Sequence, residues 1–286
     1  MKQKIIVLGS SGMAGHVIAS QLRMHPEKFE VITVSRTLDQ TNATVIMDIS
    51  NFSLLKELIV KEKPDVIINC VGILNKTAEE NPDIAVLMNS YLPHFLEAAT
   101  AKTPSRVIHI STDCVFSGSK GGYAETDVKD GAGFYAQTKA LGEIVNTKDL
   151  TIRTSIIGPE LKADGIGLLH WFLHQQGELK GYTGAFWSGV TTIQLGKSVL
   201  DVLANPELTG LVHLTNNEKI HKFDLISLFK EVFERESVSI VPYDNYKVDK
   251  SLLNTRTDFK PNVPGYAQMI VEMKEWMQSH QSYYAY

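Results

Sequence analysis

The chain has 286 residues, 43% of them hydrophobic and 21% charged, a composition that suits a soluble globular protein with one large domain or two lobes sharing a core. Lys+Arg 28 against Asp+Glu 32 leaves a net charge of -4, which argues against a nucleic-acid binder or a polybasic membrane-surface protein. No apolar run approaches the roughly 20 residues that span a bilayer. The apolar run near the N-terminus is too short for a signal peptide, so a cytoplasmic protein is expected. The two cysteines, Cys70 and Cys114, lie outside any CxxC pair and read as free thiols.

In chain order, residues 5–8 form an apolar strand that ends at glycine, and Val17, Ile18 and Leu22 follow at helical spacing. Strands are predicted at 31–34 and 45–47. A helix carrying Leu54, Leu55, Leu58 and Ile59 stops before Pro64, and a fourth strand covers 66–68. One long helix is predicted over 83–101 despite Pro93, then strands at 107–110 and from 151. Runs buried on both faces and separated by helices indicate a Rossmann-type, doubly wound parallel sheet of the α/β class. Beyond it, 159–188 is rich in glycine and aromatics. A helix at 192–203, a strand at 212–214, an amphipathic helix at 223–233 and a final helix carrying Met269, Ile270, Met273, Trp276 and Met277 complete the chain. Residues 1–158 read as a dinucleotide-binding domain and 159–286 mainly as a smaller substrate-binding α/β lobe. The helix at 192–204 is a candidate to pack back on the first domain.

The first strand runs into Gly9-Ser10-Ser11-Gly12-Met13-Ala14-Gly15, which opens a helix. Gly9 permits the tight turn, Gly12 lets backbone N–H groups of the Ser11–Met13 stretch approach a pyrophosphate, and Gly15 lets helix and strand pack closely. The spacing is GxxGxxG rather than GxGxxG. About 20 residues on, where an acid grips the ribose of NAD, stand Ser35 and Arg36. A hydroxyl and a guanidinium suit a 2′-phosphate, so NADP(H) is preferred and NAD(H) is an alternative if Asp39 takes the acid's place. Asp48 and Ile49 follow the third strand, where an Asp can face the adenine; Asp48 or Ser50 can equally cap the next helix. Cys70, Val71 and Gly72 end the fourth strand, small enough for the nicotinamide to approach.

Tyr135 and Lys139 lie one turn apart on a predicted helix. A phenol titrates near 10 in isolation, and a neighbouring ammonium lowers that pKa and makes Tyr a usable proton donor to a carbonyl receiving hydride. Thr112 and Asp113 stand at the carboxyl end of the fifth strand, where such sheets bind ligands, and Thr112 can hydrogen-bond the same oxygen. Plain turn chemistry is the alternative for both. His170 and His174 are spaced i, i+4 but lack an acidic or cysteine third ligand, so no metal is assigned.

The set GSSGMAG, STDCVFSG, YAETD, YAQTKALGE and RTSIIGP resembles the extended short-chain dehydrogenases/reductases. Within them it is most similar to the nucleotide-sugar 4-ketoreductases of the dTDP-4-dehydrorhamnose reductase type. The resemblance covers essentially the whole chain, more loosely in its last third. It implies Tyr135 as proton donor, Lys139 on the nicotinamide ribose, Thr112 at the carbonyl and Asp113 near the sugar. Val115, Phe116, Ile156, Trp187 and Arg256 fall in its substrate stretches. Trp187 reads equally as a core residue, and Arg256 as a surface arginine rather than a diphosphate ligand. The family often has Pro where this chain has Gly131, which implies a looser loop. It has Trp where this chain has Ile156, which leaves room for another sugar, such as a 2-acetamido one. The expected activity is NADPH-dependent reduction of the C4 ketone of a dTDP- or UDP-linked 4-keto-6-deoxyhexose, by a monomer or homodimer. The alternatives are a 4-epimerase or dehydratase holding NAD tightly, and a non-catalytic NADP(H)-binding regulatory subunit. An acidic pair after Thr, typical of dehydratases, is absent, because Cys114 follows Asp113.

Overall fold

The computed structural model describes residues 2–37 and 43–284. Asp39 lies outside them. Strand β1 (Gln3–Leu8) turns into helix α1 (Met13–Arg23), followed by β2 (Phe29–Ser35), β3 (Val45–Ile46), α2 (Phe52–Glu62) and β4 (Val66–Asn69). Helices α3 (Asn75–Glu80), α4 (Pro82–Ala85) and α5 (Leu92–Thr100) precede β5 (Arg106–Thr112), α6 (Gly133–Leu141) and β6 (Leu150–Thr154). Then come β7 (Ile156–Ile157), α7 (Leu168–Leu173), β8 (Gly177–Trp187), β9 (Val190–Thr191), α8 (Thr192–Leu203), β10 (Gly210–His213), β11 (Ile220–His221), α9 (Lys222–Val232), β12 (Val238–Asp249) and α10 (Tyr266–Ser279).

Seven strands form the main sheet in the order β10-β6-β5-β4-β1-β2-β3, every pair parallel. Its central strands are apolar at nearly every position because helices cover both faces. One cluster joins Ile5, Val7, Ile68, Ile108 and Ile152 to α1, α8, α9 and α10. The other joins Ile6, Leu8, Ile67 and Val107 to α2 and α5. Each fully buried aliphatic side chain contributes roughly 1.5–3 kcal/mol. The chain order reverses between β1 and β4, and the crevice at that switch point lies at the carboxyl ends of the strands.

Three local features differ from the sequence reading. The single helix predicted over 83–101 is α4 and α5 joined by a π-helical stretch, Val86–Tyr91. Pro93 has no N–H to give to Asn89 four residues back, and the wider register absorbs the mismatch. The N-cap of α2 is Asn51, whose side chain accepts from Leu54 N–H at 3.2 Å, not Asp48 or Ser50. The glycine- and aromatic-rich stretch after residue 158 hides β8, which pairs with β12 in parallel and β11 antiparallel as a separate three-stranded sheet.

The boundary read at residue 158 is crossed by β10, the outer strand of the main sheet, and by α8, which packs on α1. A Cβ on Gly196 of α8 would fall 2.6 Å from Gln21 Oε1, so a larger residue there would displace the Gln21 amide, whose Nε2 donates to Ile193 O at 3.0 Å across the same contact.

Candidate active site

The glycine turn has the shape a pyrophosphate needs. Gly9 adopts φ +77°, and a Cβ on Gly15 would lie 2.2 Å from Gly9 O. Helix α1 starts at Gly12 with no side-chain cap and no acidic residue in its first turn, which leaves its orphan N–H groups and positive end directed at the crevice. The buried Ser10 Oγ has no partner among the described residues. Gly9 also abuts Val71 Cγ2, at 3.1 Å from a Cβ built there, so the turn and the segment after β4 face one another. Cys70 and Val71 are half-buried and Gly72 is exposed. These residues fit a dinucleotide.

At the adenosine end, Arg36 is exposed just beyond β2, whereas Ser35 is buried and turns its hydroxyl back onto Thr37 O. Arg36 is therefore available to a 2′-phosphate, but the Ser35 side chain is engaged locally. Asp48 is exposed; its carboxylate accepts from Ser50 N–H at 2.9 Å, which holds it below the usual carboxylate range. Ile49 packs its side chain into the core beside α2.

Helix α6 places Tyr135 and Lys139 one turn apart beside β5. Its start is held by Glu79 of α3, which accepts from Tyr135 N–H at 3.2 Å, a cap with no sequence signal because it comes from 56 residues away. The Tyr135 hydroxyl lies beside Thr112, and Thr112 Oγ1 donates to Asp113 Oδ1 at 3.1 Å. The phenol is pushed up, first by burial and then by the neighbouring Cys114. Sequence reasoning expected the Lys139 ammonium to lower it. Here Lys139 is buried, donates to Ile110 O at 2.8 Å and lies 3.3 Å from His109 Nε2, so its charge is spent elsewhere; burial lowers it to about 8. Asp113 is buried and its carboxyl is raised by desolvation, opposed by Lys250.

Gly131 is not a loose substitute for proline. Its N–H donates to Val115 O at 2.9 Å, which proline cannot do, and a Cβ there would sit 2.5 Å from Cys114 O. Beneath the site, Glu143 and Arg153 of the YAQTKALGE and RTS motifs form a bidentate pair (2.8 and 2.7 Å). Ser111 donates to Glu143 at 2.8 Å, and Lys129 lies 3.2 Å from it. His213 donates through Nδ1 to Leu253 O and accepts from Arg153 Nη1 at 2.7 Å.

The substrate-side residues divide. Ile156 is half-buried on β7 near the end of β6. Val115 and Phe116 are fully buried with Tyr123 and Leu252, the Phe116 ring stacked on Tyr123 at 4.1 Å. Their side chains are core, because the loop after β5 folds inward around them. Trp187 is buried against Tyr266, 5.6 Å between rings, and is a core residue. Arg256 does not face the crevice: it pairs with Asp258 and donates to Thr209 and Leu211 carbonyls along β10, where it closes a sheet edge. His174 Nδ1 donates to His170 O at 2.8 Å with the two rings 4.4 Å apart, and no cluster of three or more His, Cys, Asp or Glu side chains able to hold a metal occurs among the described residues. Sequence reasoning missed Glu79, Asn69, Asn89, His109 and Lys250. Only Asn89 carried a signal, the nearby Pro93 that bends its helix. Its side chain bridges Ile73 and Thr138 of α6, at 2.8 to 3.1 Å.

A phosphate-binding turn at the switch point, opening onto a tyrosine and a threonine at the end of β5, is the arrangement of an NAD(P)-dependent oxidoreductase of the extended short-chain type. Comparison with known proteins narrows this. Residues 3–254 match the family model described as the RmlD substrate binding domain. The chain is 26% identical over 257 residues to a dTDP-4-dehydrorhamnose reductase of Aggregatibacter actinomycetemcomitans, covering 85% of this chain and 83% of that protein. It is 26% identical over 221 residues to the spore coat polysaccharide biosynthesis protein SpsK of Bacillus subtilis, covering 75% and 74%. The fold is shared with a dTDP-4-dehydrorhamnose reductase of Bacillus anthracis solved in complex with NADP, at TM-score 0.83 and 19% identity over 96% of this chain and 100% of that one. The chain belongs to the dTDP-4-dehydrorhamnose reductase (RmlD) family of extended short-chain dehydrogenases/reductases.

Proposed function

We propose that this protein reduces the C4 ketone of a nucleoside-diphosphate 4-keto-6-deoxyhexose with NADPH. The observation that carries the reading is Tyr135 on α6 beside Thr112 at the carboxyl end of β5, with Lys139 one helical turn after Tyr135, on the same sheet whose switch point holds the glycine turn. When bound, the nicotinamide supplies the hydride. Gly9, Ser11, Gly12, Met13 and Gly15 shape the turn that receives the pyrophosphate, and Arg36 meets the 2′-phosphate. Asp48 lies on the adenine side. Cys70, Val71 and Gly72 border the nicotinamide, and Lys139 takes its ribose. Tyr135 gives its phenolic proton to the ketone oxygen, and Thr112 holds that oxygen by hydrogen bond. Asp113 and Ile156 face the sugar, and the volume left by Ile156 accepts a 2-acetamido group. Cys70 and Cys114 are free thiols, which suits the reducing cytoplasm.

The related proteins support the reaction class. The Aggregatibacter protein is a dTDP-4-dehydrorhamnose reductase, and the Bacillus anthracis one was solved with NADP. The test is NADPH consumption against a panel of dTDP-, UDP- and GDP-linked 4-keto-6-deoxy sugars. Turnover of at least one, lost in Tyr135→Phe while NADPH still binds, is the expected result. No turnover of any sugar by protein that binds NADPH overturns the reading.

A further inference from the structure

Four donors follow one another in one direction beneath the site, all but the first fully buried. Val71 N–H donates to Asn69 Oδ1 at 3.1 Å, which fixes the orientation of the Asn69 amide. Its Nδ2 then faces His109 Nδ1 at 3.1 Å; Asn69 and His109 are register partners on β4 and β5, and neither is exposed. An amide N–H₂ can only donate, so Nδ1 must be the bare nitrogen of a neutral imidazole and Nε2 must carry the proton. That Nε2–H faces Lys139 Nζ at 3.3 Å, while Nζ donates to Ile110 O at 2.8 Å. An amine nitrogen completes this chain, because it accepts from Nε2 and donates to the carbonyl. An ammonium has no lone pair to accept with. It would force the proton onto Nδ1, against the Asn69 amide, or leave one bond unmade in a dry interior.

We infer that His109, with its tautomer locked by Asn69, is a positioning residue that holds Lys139 ready to lose its ammonium proton. The inference deepens the proposed reduction and rests on it for the meaning of Lys139 as the partner of Tyr135. The groups around Lys139 are few. Tyr135 precedes it by one turn on α6. Glu143 beyond α6 favours the charge, Cys70 after β4 does so weakly, and burial opposes it. His94 of α5 and Lys139 both act against charge on His109. Glu143 is engaged by Arg153, Ser111 and Lys129 rather than by Lys139. In the reduction, an ammonium that releases its proton readily can exchange it towards the Tyr135 side of the site after the phenol has donated.

The decisive measurement needs no variant and no sugar. Nitrogen NMR of histidine-labelled protein without NADPH, with the His109 signal identified by its loss in His109→Asn, should show a protonated Nε2 and a bare Nδ1 once the pH is above the Lys139 midpoint, where Lys139 is the amine. A proton on Nδ1, or on both nitrogens, overturns the inference. The second measurement follows the Lys139 side-chain carbon next to Nζ through a pH titration. Asn in place of His109 retains a group for Asn69 but has none that reaches Nζ, so the Lys139 midpoint should rise by about one unit, the size of one hydrogen bond. Equal midpoints in the two proteins, each shown folded by NADPH titration, overturn it. Failure of the sugar assay leaves both readouts intact, and a wrong tautomer leaves the reductase reading intact.

Discussion

Two buried polar clusters sit side by side under the crevice and are built in opposite ways. In one, the Arg153 guanidinium meets the Glu143 carboxylate through two hydrogen bonds, with Ser111, Lys129 and His213 using the remaining capacity. In the other, Lys139 is equally buried but contacts a carbonyl and an imidazole, with no carboxylate of its own. The first is a charge pair whose members fix each other and tie β6 to the segment after α6. The second is a single cation whose charge is poorly supported, which is why its pKa falls to about 8. A fully satisfied pair serves shape, and the undersatisfied group is the one that the proposed reduction uses for proton chemistry.

The largest effect that can break this contrast is on turnover. Lys139→Met should lower turnover by at least about 10²-fold while leaving thermal stability equal or raised, since it removes a costly buried charge. A large fall in Tm with turnover retained would place Lys139 with the structural cluster instead. Arg153→Met should do the reverse: it strands the Glu143 carboxylate and costs about 3–5 kcal/mol in denaturant unfolding, as for other broken buried pairs. Loss below about 1 kcal/mol would show that the pair is dispensable.

A pH scan sharpens the same point. His213, wedged against Arg153, has its pKa lowered to about 4 by burial and by that guanidinium. The unfolded chain binds this proton near the ordinary value of about 6.5 and the folded one does not. Stability should therefore be full above 6.5 and decline as pH falls from 6.5 towards 4; His109, lowered for similar reasons, adds the same sign. Calorimetry of wild type and His213→Asn between pH 7.5 and 5 should give a steeper fall for the wild type; parallel profiles would exclude His213 as a source. The smallest expected effect is Arg256→Ala, about 1 kcal/mol of stability with the KM for sugar nucleotide unchanged. A KM rise of tenfold would return Arg256 to the substrate.

Legibility tracked the range of the interactions. The Gly9–Gly15 turn, the parallel strands and the Tyr135–Lys139 spacing are local patterns, and all appear where the periodicity puts them. Strand β8 did not, because its alternation is broken by Gly181 and Gly184 and half its face meets solvent. Trp187 and Phe116 are large aromatics in a substrate stretch, and nothing local distinguishes a wall of the pocket from a wall of the core. Arg256 shows the same limit: its partners Thr209 and Leu211 are over 40 residues away.

By itself, then, the sequence determined the alternating α/β architecture, the tight glycine turn and the one-turn spacing of Tyr135 and Lys139, since each depends on steric and hydrogen-bonding rules acting over a few residues. Only the tertiary structure decided what those side chains experience. Strand pairing sets Asn69 against His109, folding buries Lys139 away from any carboxylate, and the packing of α6 turns a Tyr–Lys motif into a phenol raised by desolvation beside a cation directed elsewhere. Protonation states follow from burial and from partners distant in the chain, and those exist only once the sheet has closed.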